Sequence, residues 1–285
     1  MKKFVTVLFI LVSIHGNAQI ENSLLWKIEG NGLKNPSHLF GTIHAMCPNE
    51  LNIAEKVKKA LDASQQLVLE VDMDDPDIMT KLQQASVNPS MKNINTEISE
   101  ADLALANNFF LKNYGTDLSQ LGILKPMGLI SMVFMKALNC EQPGSYEAEF
   151  MKYAQKHKWE VFGLEEVELQ LTLLDEIPIK QQLSFLVNYI KDREALNKSI
   201  EDLISAYTIE DISKLNVLIG GYPEYTAIKG VIFDKRNESW IPTIEKFASE
   251  KTTFFAVGAG HLAGDKGVIN LLRARGYIVT PILEN

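Results

Sequence analysis

Cysteine is scarce in this chain: Cys47 and Cys140 are the only two in 285 residues. So few thiols exclude a disulfide-built mini-fold, and no second Cys/His pair stands at the spacing of a zinc finger. In an oxidising compartment the two could pair, and two separate buried or half-buried thiols are the other reading. Positive charge is short as well, with 28 Lys and Arg against 36 Asp and Glu and a formal net charge of −8. With no basic stripe and no interleaved aromatics, the chain lacks the field that attracts nucleic acid or anionic lipid. Nucleic acid is therefore not an expected partner. Long apolar runs are missing too, since no segment after residue 18 approaches the length of a transmembrane helix. No G-x-S-x-G is present to supply a serine nucleophile.

What is present begins with an address. Lys2 and Lys3 precede an apolar run from Phe4 to Ile14, and Gly16-Asn17-Ala18 puts small residues before a cut ahead of Gln19. That pattern over residues 1–18 predicts a cleavable secretory signal peptide, its apolar run too short to span a bilayer. No Cys follows the cut, so a lipid-anchored form is not indicated. Removing it takes away Lys2 and Lys3 and moves the formal charge from −8 to −10. A periplasmic or extracellular protein is expected, with residues 19–285 as one domain carrying a helical insertion at about 75–140.

Short apolar runs at Leu24–Ile28 and His38–Thr42, separated by Gly and Asn-Pro-Ser turn residues, predict a β-hairpin. A helix is expected over Asn52–Ala63, with Ile53, Val57, Ala60 and Leu61 at helical spacing. Gln66–Asp72 is apolar on both faces apart from Glu70, the profile of a covered central strand. The stretch from Asp75 to about Asn139 is helical, broken by Pro89, Gly115 and Pro126. Ser145 is placed to cap a helix reaching His157. A short strand at Trp159–Phe162 comes next, then helices to about Glu250. A strand at Thr252–Val257, a helix at Asp265–Arg275 and a last strand at Tyr277–Pro281 complete the chain. The order predicts an α/β (α+β) fold: a mixed central sheet from the N- and C-terminal parts, flanked by helices, with a helix-rich middle.

Two copies of one signature punctuate that order, Gly41-Thr42-Ile43-His44 and Gly258-Ala259-Gly260-His261, each at the end of a strand. If the two ends of the chain pair in one sheet, both imidazoles reach its carboxyl edge, where open α/β sheets form clefts. Either histidine alone reads as a packing residue; their repetition at equivalent places points to a shared metal or acid/base site. Glu70 is the third participant, because a carboxylate in an apolar run is costly unless paired or bound to a cation. A βαβ unit would set its strand beside the one leading to His44. Asp72 lies on the same face by period two and could equally be the inward carboxylate. On spacing alone Glu147 complements a helix dipole and Glu165 begins a helix. Arg236 and Asn237, with Trp240 and Ile244 behind them, read as a solvated helix face. Two lookalikes fall away. Gly258–Ala263 matches G-x-G-x-x-A, but too little chain follows for a nucleotide-binding unit. His44-Ala45-Met46-Cys47 lacks the partners of a zinc or thiol–imidazole site.

Taken together, LLWKIEGNGLKNPSHLFGTIH, LVLEVDM, SYEAEFMKYAQ, VFGLEEVELQ, RNESW and FFAVGAGHLAGDKGVINLLRARGY resemble the TraB/GumN family. That family is related to the Tiki metalloproteases and more distantly to the erythromycin-esterase (EreA) and ChaN-like proteins. The resemblance covers essentially the whole mature chain. It implies an EreA/ChaN-like fold and a hydrolase dependent on a divalent metal (Mn, Co or Zn), acting on a peptide or small ester. It puts the paired motif on His44 and His261 and the family acid on Glu70, and it turns Glu147, Glu165, Arg236 and Asn237 toward the same cleft. In the mechanism this implies, His44, His261 and a carboxylate hold one ion, and a second carboxylate acts as general base. Arg236 then stabilises the oxyanion, and Glu70 is left open between ligand and base. The alternative is an envelope protein that binds metal or haem through the same histidines without turnover, and a third is a catalytically idle interaction protein on the same scaffold.

Overall fold

The computed structural model describes residues 22–222 and 229–283, so the signal-peptide reading of residues 1–18 lies outside the described residues. Strands β1 (Leu25–Gly30) and β2 (Ser37–Thr42) form the expected hairpin, paired antiparallel from Leu25 opposite Phe40 to Ile28 opposite Ser37. Helix α1 (Glu55–Asp62) leads to β3 (Gln66–Val71), every residue of which is buried. After the middle helices come β4 (Val161–Glu165), β5 (Thr253–Gly258) and β6 (Tyr277–Pro281). The described strands make one mixed sheet in the order β4-β3-β5-β2-β1-β6. The class expected from the alternation of elements is the one the chain adopts.

The two chain ends do meet, for β2 pairs with β5 in parallel, Gly41 opposite Val257 and Thr42 opposite Gly258. One expectation needs correction: β2 and β3 are not neighbours, because β5 lies between them. All three strands are buried along their whole length, so the apolar pattern carried no information about which takes the centre. The consequence for the site is direct. Strands β4, β3, β5 and β2 run parallel, so their carboxyl ends lie along one edge.

Two apolar cores result. The first packs the sheet against helices including α6 (Tyr146–His157), whose cap Ser145 accepts from the Ala148 N–H as its sequence predicts. The second is helical and draws on α3 (Glu100–Tyr114), α5 (Pro126–Ala137), α8 (Ile179–Lys191) and α9 (Arg193–Thr208), where α2 is Ile78–Ala85, α4 Leu118–Leu121 and α7 Val167–Leu173. This helical layer is thus assembled from two separated stretches, not from the middle insertion alone. Cys47 and Cys140 are joined in a disulfide, and the Met46–Gly144 bridge lies beside it. Together they tie the loop after His44 to the chain entering α6.

His38, at the other end of β2 from this edge, is buried among neighbours that include Ser64 and Lys27. Burial first, and then the Lys27 charge, push its imidazole down to about 4. The unfolded chain, at the ordinary value of about 6.5, therefore takes up this proton first on acidification. Stability from His38 is complete above pH 6.5 and lost as pH falls toward 4, at up to about 1.4 kcal/mol per pH unit. His38→Gln should flatten this acid limb, so the gap between wild-type and variant urea midpoints should change steadily below pH 6.5. Parallel curves would remove His38 as the cause.

Candidate functional site

Each of the four parallel strands delivers one polar group to the shared edge: His44 just beyond β2, Glu70 in β3, Glu165 at the end of β4, and His261 one turn after β5. Glu70 Oε1 accepts the Gly258 N–H at 2.7 Å and lies 4.0 Å from His44 Nε2 and 3.7 Å from His261 Nε2. Its Oε2 accepts from Arg236 Nη2 at 2.7 Å and from Gln170 Nε2 at 2.9 Å. Oε2 is thus held by two side chains, while Oε1, besides taking the Gly258 N–H, faces both imidazoles. Asp72, the alternative inward carboxylate, instead accepts the Asp74 N–H in the turn after β3.

The two glycines of the paired motif do different jobs. A Cβ on Gly41 would come within 2.6 Å of Leu262 Cδ1 and 3.1 Å of Ala259 Cα, so this glycine lets the turn after β5 pack across β2. A Cβ on Gly258 would stand 3.2 Å from His44 Nε2, 3.3 Å from Glu70 Oε1 and 3.6 Å from His261 Cδ2. That position is the gap on which the three side chains converge.

Each imidazole is oriented through its Nδ1. His44 Nδ1 sits 2.8 Å from Glu147 Oε1 in the first turn of α6, and the same oxygen accepts from Thr42 Oγ1. A carboxylate can only accept, so His44 carries its proton on Nδ1 when neutral and presents a lone pair on Nε2. His261 Nδ1 sits 2.6 Å from Asn237 Oδ1, while Asn237 Nδ2 donates to Lys266 O at 2.8 Å, which sets the amide's direction. His261 Nε2 is therefore also an acceptor, met by Arg236 Nη1 at 3.2 Å.

After α10 (Ile212–Gly220), helix α11 (Arg236–Glu250) follows a π-helical turn over Lys229–Lys235, and its start is buried. This corrects the expectation of a solvated face. Arg236, Trp240 and Ile244 are spaced by four residues and therefore share one stripe of the helix, all of it turned to the core. Arg236 is 4% exposed and spends its donors on Glu165, Glu70, His261 and Ile232 O. Trp240 Nε1 also donates to Glu165 Oε2, at 3.0 Å. Glu165, Arg236 and Asn237 thus form a layer behind the cleft, whereas His44, Glu70, Glu147 and Gln170 line a cavity of about 310 Å³. With its donors engaged, Arg236 is not positioned to meet an oxyanion in that cavity.

The electrostatics agree with this division. Burial raises the Glu70 carboxyl, but the neighbouring His261 and His44 imidazoles, the Arg236 guanidinium and the Gly258 N–H outweigh it and hold it well below the usual range. Burial, helped by Arg236 and His44, pushes His261 down to about 3 and leaves it neutral. At His44 desolvation of the inner edge opposes charge, yet the Glu147 hydrogen bond and the Glu70 and Glu147 charges lift it well above the imidazole range. The outer part of that ring is open, its side chain 66% exposed, so water moderates the lift. Taken as formal charges, Glu70, Glu147 and Glu165 against Arg236 leave two negative charges when both imidazoles are neutral.

That surplus equals one divalent cation. Donors each about 2.1 Å from an ion stand no more than roughly 4.2 Å apart, and the Glu70–His261 and Glu70–His44 separations of 3.7 and 4.0 Å fall inside that limit. The donor set suits a metal: two imidazole lone pairs and one carboxylate oxygen. As placed, the side chains are not closed on a common point, and among the described residues no group of three His, Cys, Asp or Glu forms an ion-holding cluster. His261 Nε2 would have to exchange its Arg236 contact for the ion.

A family model described as TraB/PrgY/gumN matches residues 24–281. The chain belongs to the TraB/PrgY/gumN family. Among curated proteins, similarity is found to one named Metalloprotease TIKI2 from Danio rerio, 23% identical over 90% of this chain and 60% of that protein. Metalloprotease TIKI1 from Danio rerio is 23% identical over 90% of this chain and 63% of its own length. Metalloprotease TIKI2 from Xenopus tropicalis is 22% identical over 90% and 59%. The chain thus spans about 60% of the length of these relatives. No solved structure matches it.

For this TraB/PrgY/gumN chain, sequence reasoning passed over Thr42 and Gln170. Thr42 sits inside the first Gly-x-x-His, at one of its unspecified positions. Gln170 lies on α7, five residues after Glu165, within the VFGLEEVELQ run, where nothing in its spacing sets it apart. Only the packing of α7 against the end of β3 brings it to Glu70. No helix among the described residues is long and apolar enough to cross a membrane.

Proposed function

We propose that this chain is an exported, divalent-metal-dependent peptidase whose site is built on His44, Glu70 and His261. The observation that carries the reading is the convergence of His44 Nε2, Glu70 Oε1 and His261 around the gap at Gly258, where the carboxylates outnumber Arg236 by two once both imidazoles are neutral, as ligands to an ion must be. The names of the relatives support the reaction class, and the Cys47–Cys140 disulfide is in keeping with an oxidising compartment. A bound ion of this class lowers the pKa of a coordinated water and polarises a carbonyl.

The chain's own residues prepare that chemistry. Glu147 holds the His44 Nδ1–H and Asn237 holds that of His261, so both rings offer Nε2, the outer-partner arrangement common at metal histidines. Glu70 is assigned as ligand, because Arg236 and Gln170 tie its Oε2 and leave Oε1 toward the histidines. Glu147 Oε1 is spent on His44 and Thr42 and its Oε2 has no exposed surface, so Glu147 serves to hold His44 in place.

Purified protein should carry one divalent ion per chain and cleave members of a peptide library, with chelator stopping cleavage and added ion restoring it. Absence of both ion and cleavage would end the proposal. Gly258→Ala offers a finer check. The backbone at Gly258, with φ −53°, suits alanine, so stability should stay within about 1 kcal/mol of wild type. The added methyl would occupy the gap, and ion affinity by calorimetric titration should fall by about 10–100-fold, as for disturbed outer partners. Unchanged affinity would place the ion elsewhere.

A further inference from the structure

The cavity beside His44 has a polar and an apolar lining. His44, Glu70, Glu147, Ser145 and Gln170 supply the polar part; the rest is apolar and includes Val71, Met73, Leu82 and Val167. Val71 and Val167 are buried in a small separate cluster with Ile78, against which Leu82 packs. The wall is therefore held by a core of its own, between β3, α2 and α7. Met73 lines the cavity and is also 43% exposed, a large apolar side chain open to solvent.

From this wall, and resting on the peptidase reading above, we propose that the cavity is a specificity subsite for one uncharged aliphatic side chain of a peptide substrate. Among the described residues no lysine or arginine lines it, so an acidic side chain would find no counter-charge there. A basic one would find carboxylates already engaged: Glu70 by Arg236, Gln170 and Gly258, and Glu147 Oε1 by His44 and Thr42. Glu147 Oε2 has no surface for it to reach. The volume, about 310 Å³, is at the small end of ligand cavities and suits one side chain better than a large cofactor. Selection among aliphatic residues then follows from the apolar area each one buries.

The test separates binding from turnover. With methionine methyl groups ¹³C-labelled and Met73 assigned through Met73→Leu, the full chain is titrated with acetyl-leucine amide, acetyl-aspartate amide and acetyl-glycine amide. The Met73 methyl signal should move with the leucine compound and stay still with the other two. In library digests, leucine should be preferred over alanine at one position by on the order of 10–100-fold, and Leu82→Asp should reduce that preference to within about threefold while cleavage continues. A Met73 signal that ignores the leucine compound, or answers all three alike, overturns the subsite whether or not peptides are cleaved. A selective Met73 response in a protein that cleaves nothing upholds the subsite as a binding pocket and removes the peptidase reading instead.

Discussion

Arg236→Met should destabilise the fold by about 3–5 kcal/mol, the cost typical of breaking a buried ion pair from one side. The reason is what it leaves behind. Glu70 and Glu165 are both buried against this guanidinium, and Arg236 also donates to His261 Nε2 and Ile232 O. Without it two carboxylates remain in the interior with reduced compensation, and a neutral side chain of similar length cannot supply the lost donors. For a chain of this size the melting temperature should fall by about 10 °C. Arg236→Lys should recover only part of the loss, since an ammonium cannot make the forked contact with Glu165 while also reaching Glu70. Adding Glu165→Gln to Arg236→Met should restore some stability by removing one stranded charge and keeping an acceptor for Trp240. Urea unfolding of the four proteins measures this, and a single-variant loss under about 1 kcal/mol would show that the cluster is not the electrostatic keystone described.

His44→Ala and His261→Ala should both abolish ion-dependent hydrolysis, by at least about 100-fold, the upper end of what loss of a mere outer partner costs. Their effects on the fold should differ. His44 is exposed beyond the end of β2, so its loss should change stability by less than about 1 kcal/mol. His261 is buried against Trp240 and Phe233, with ring centroids 4.5 and 4.9 Å away, and it satisfies Asn237 and Arg236. Its removal opens a hole and strands buried polar atoms, a cost of about 1–3 kcal/mol from the latter alone. The paired outcome, equal loss of activity and ion content with unequal loss of stability, identifies a shared chemical role at two structurally different positions. Retained ion content in both variants would detach the histidines from the metal.

The elements themselves were legible because their signals are local. Alternation and turn residues marked the β1–β2 hairpin, the Ser145 cap marked α6, and the unbroken apolar run marked β3. The Gly-x-x-His pair was legible through repetition, and Glu70 through its improbable setting in that run. Arg236 and Asn237 had a readable signal that was misread: Arg236 lies four residues before Trp240 and Asn237 three, which puts both on the buried side of the helix, but an arginine there looks solvated until its acidic partners are known. Gln170 had no such signal, since a glutamine on a short helix is ordinary until another element packs over it.

From the sequence alone came the class of fold, the meeting of the two chain ends and the candidate residues His44, His261 and Glu70, all of which depend on pattern along the chain. Strand order, the separation of a cleft-facing set from the buried set of Glu165, Arg236 and Asn237, the direction of each imidazole and the different uses of Gly41 and Gly258 were decided by tertiary structure. Those are relations between atoms far apart in sequence. Three strands with one burial profile fit the centre of a sheet equally well in sequence terms, and the charge state and orientation of a buried side chain follow from the partners that packing brings to it.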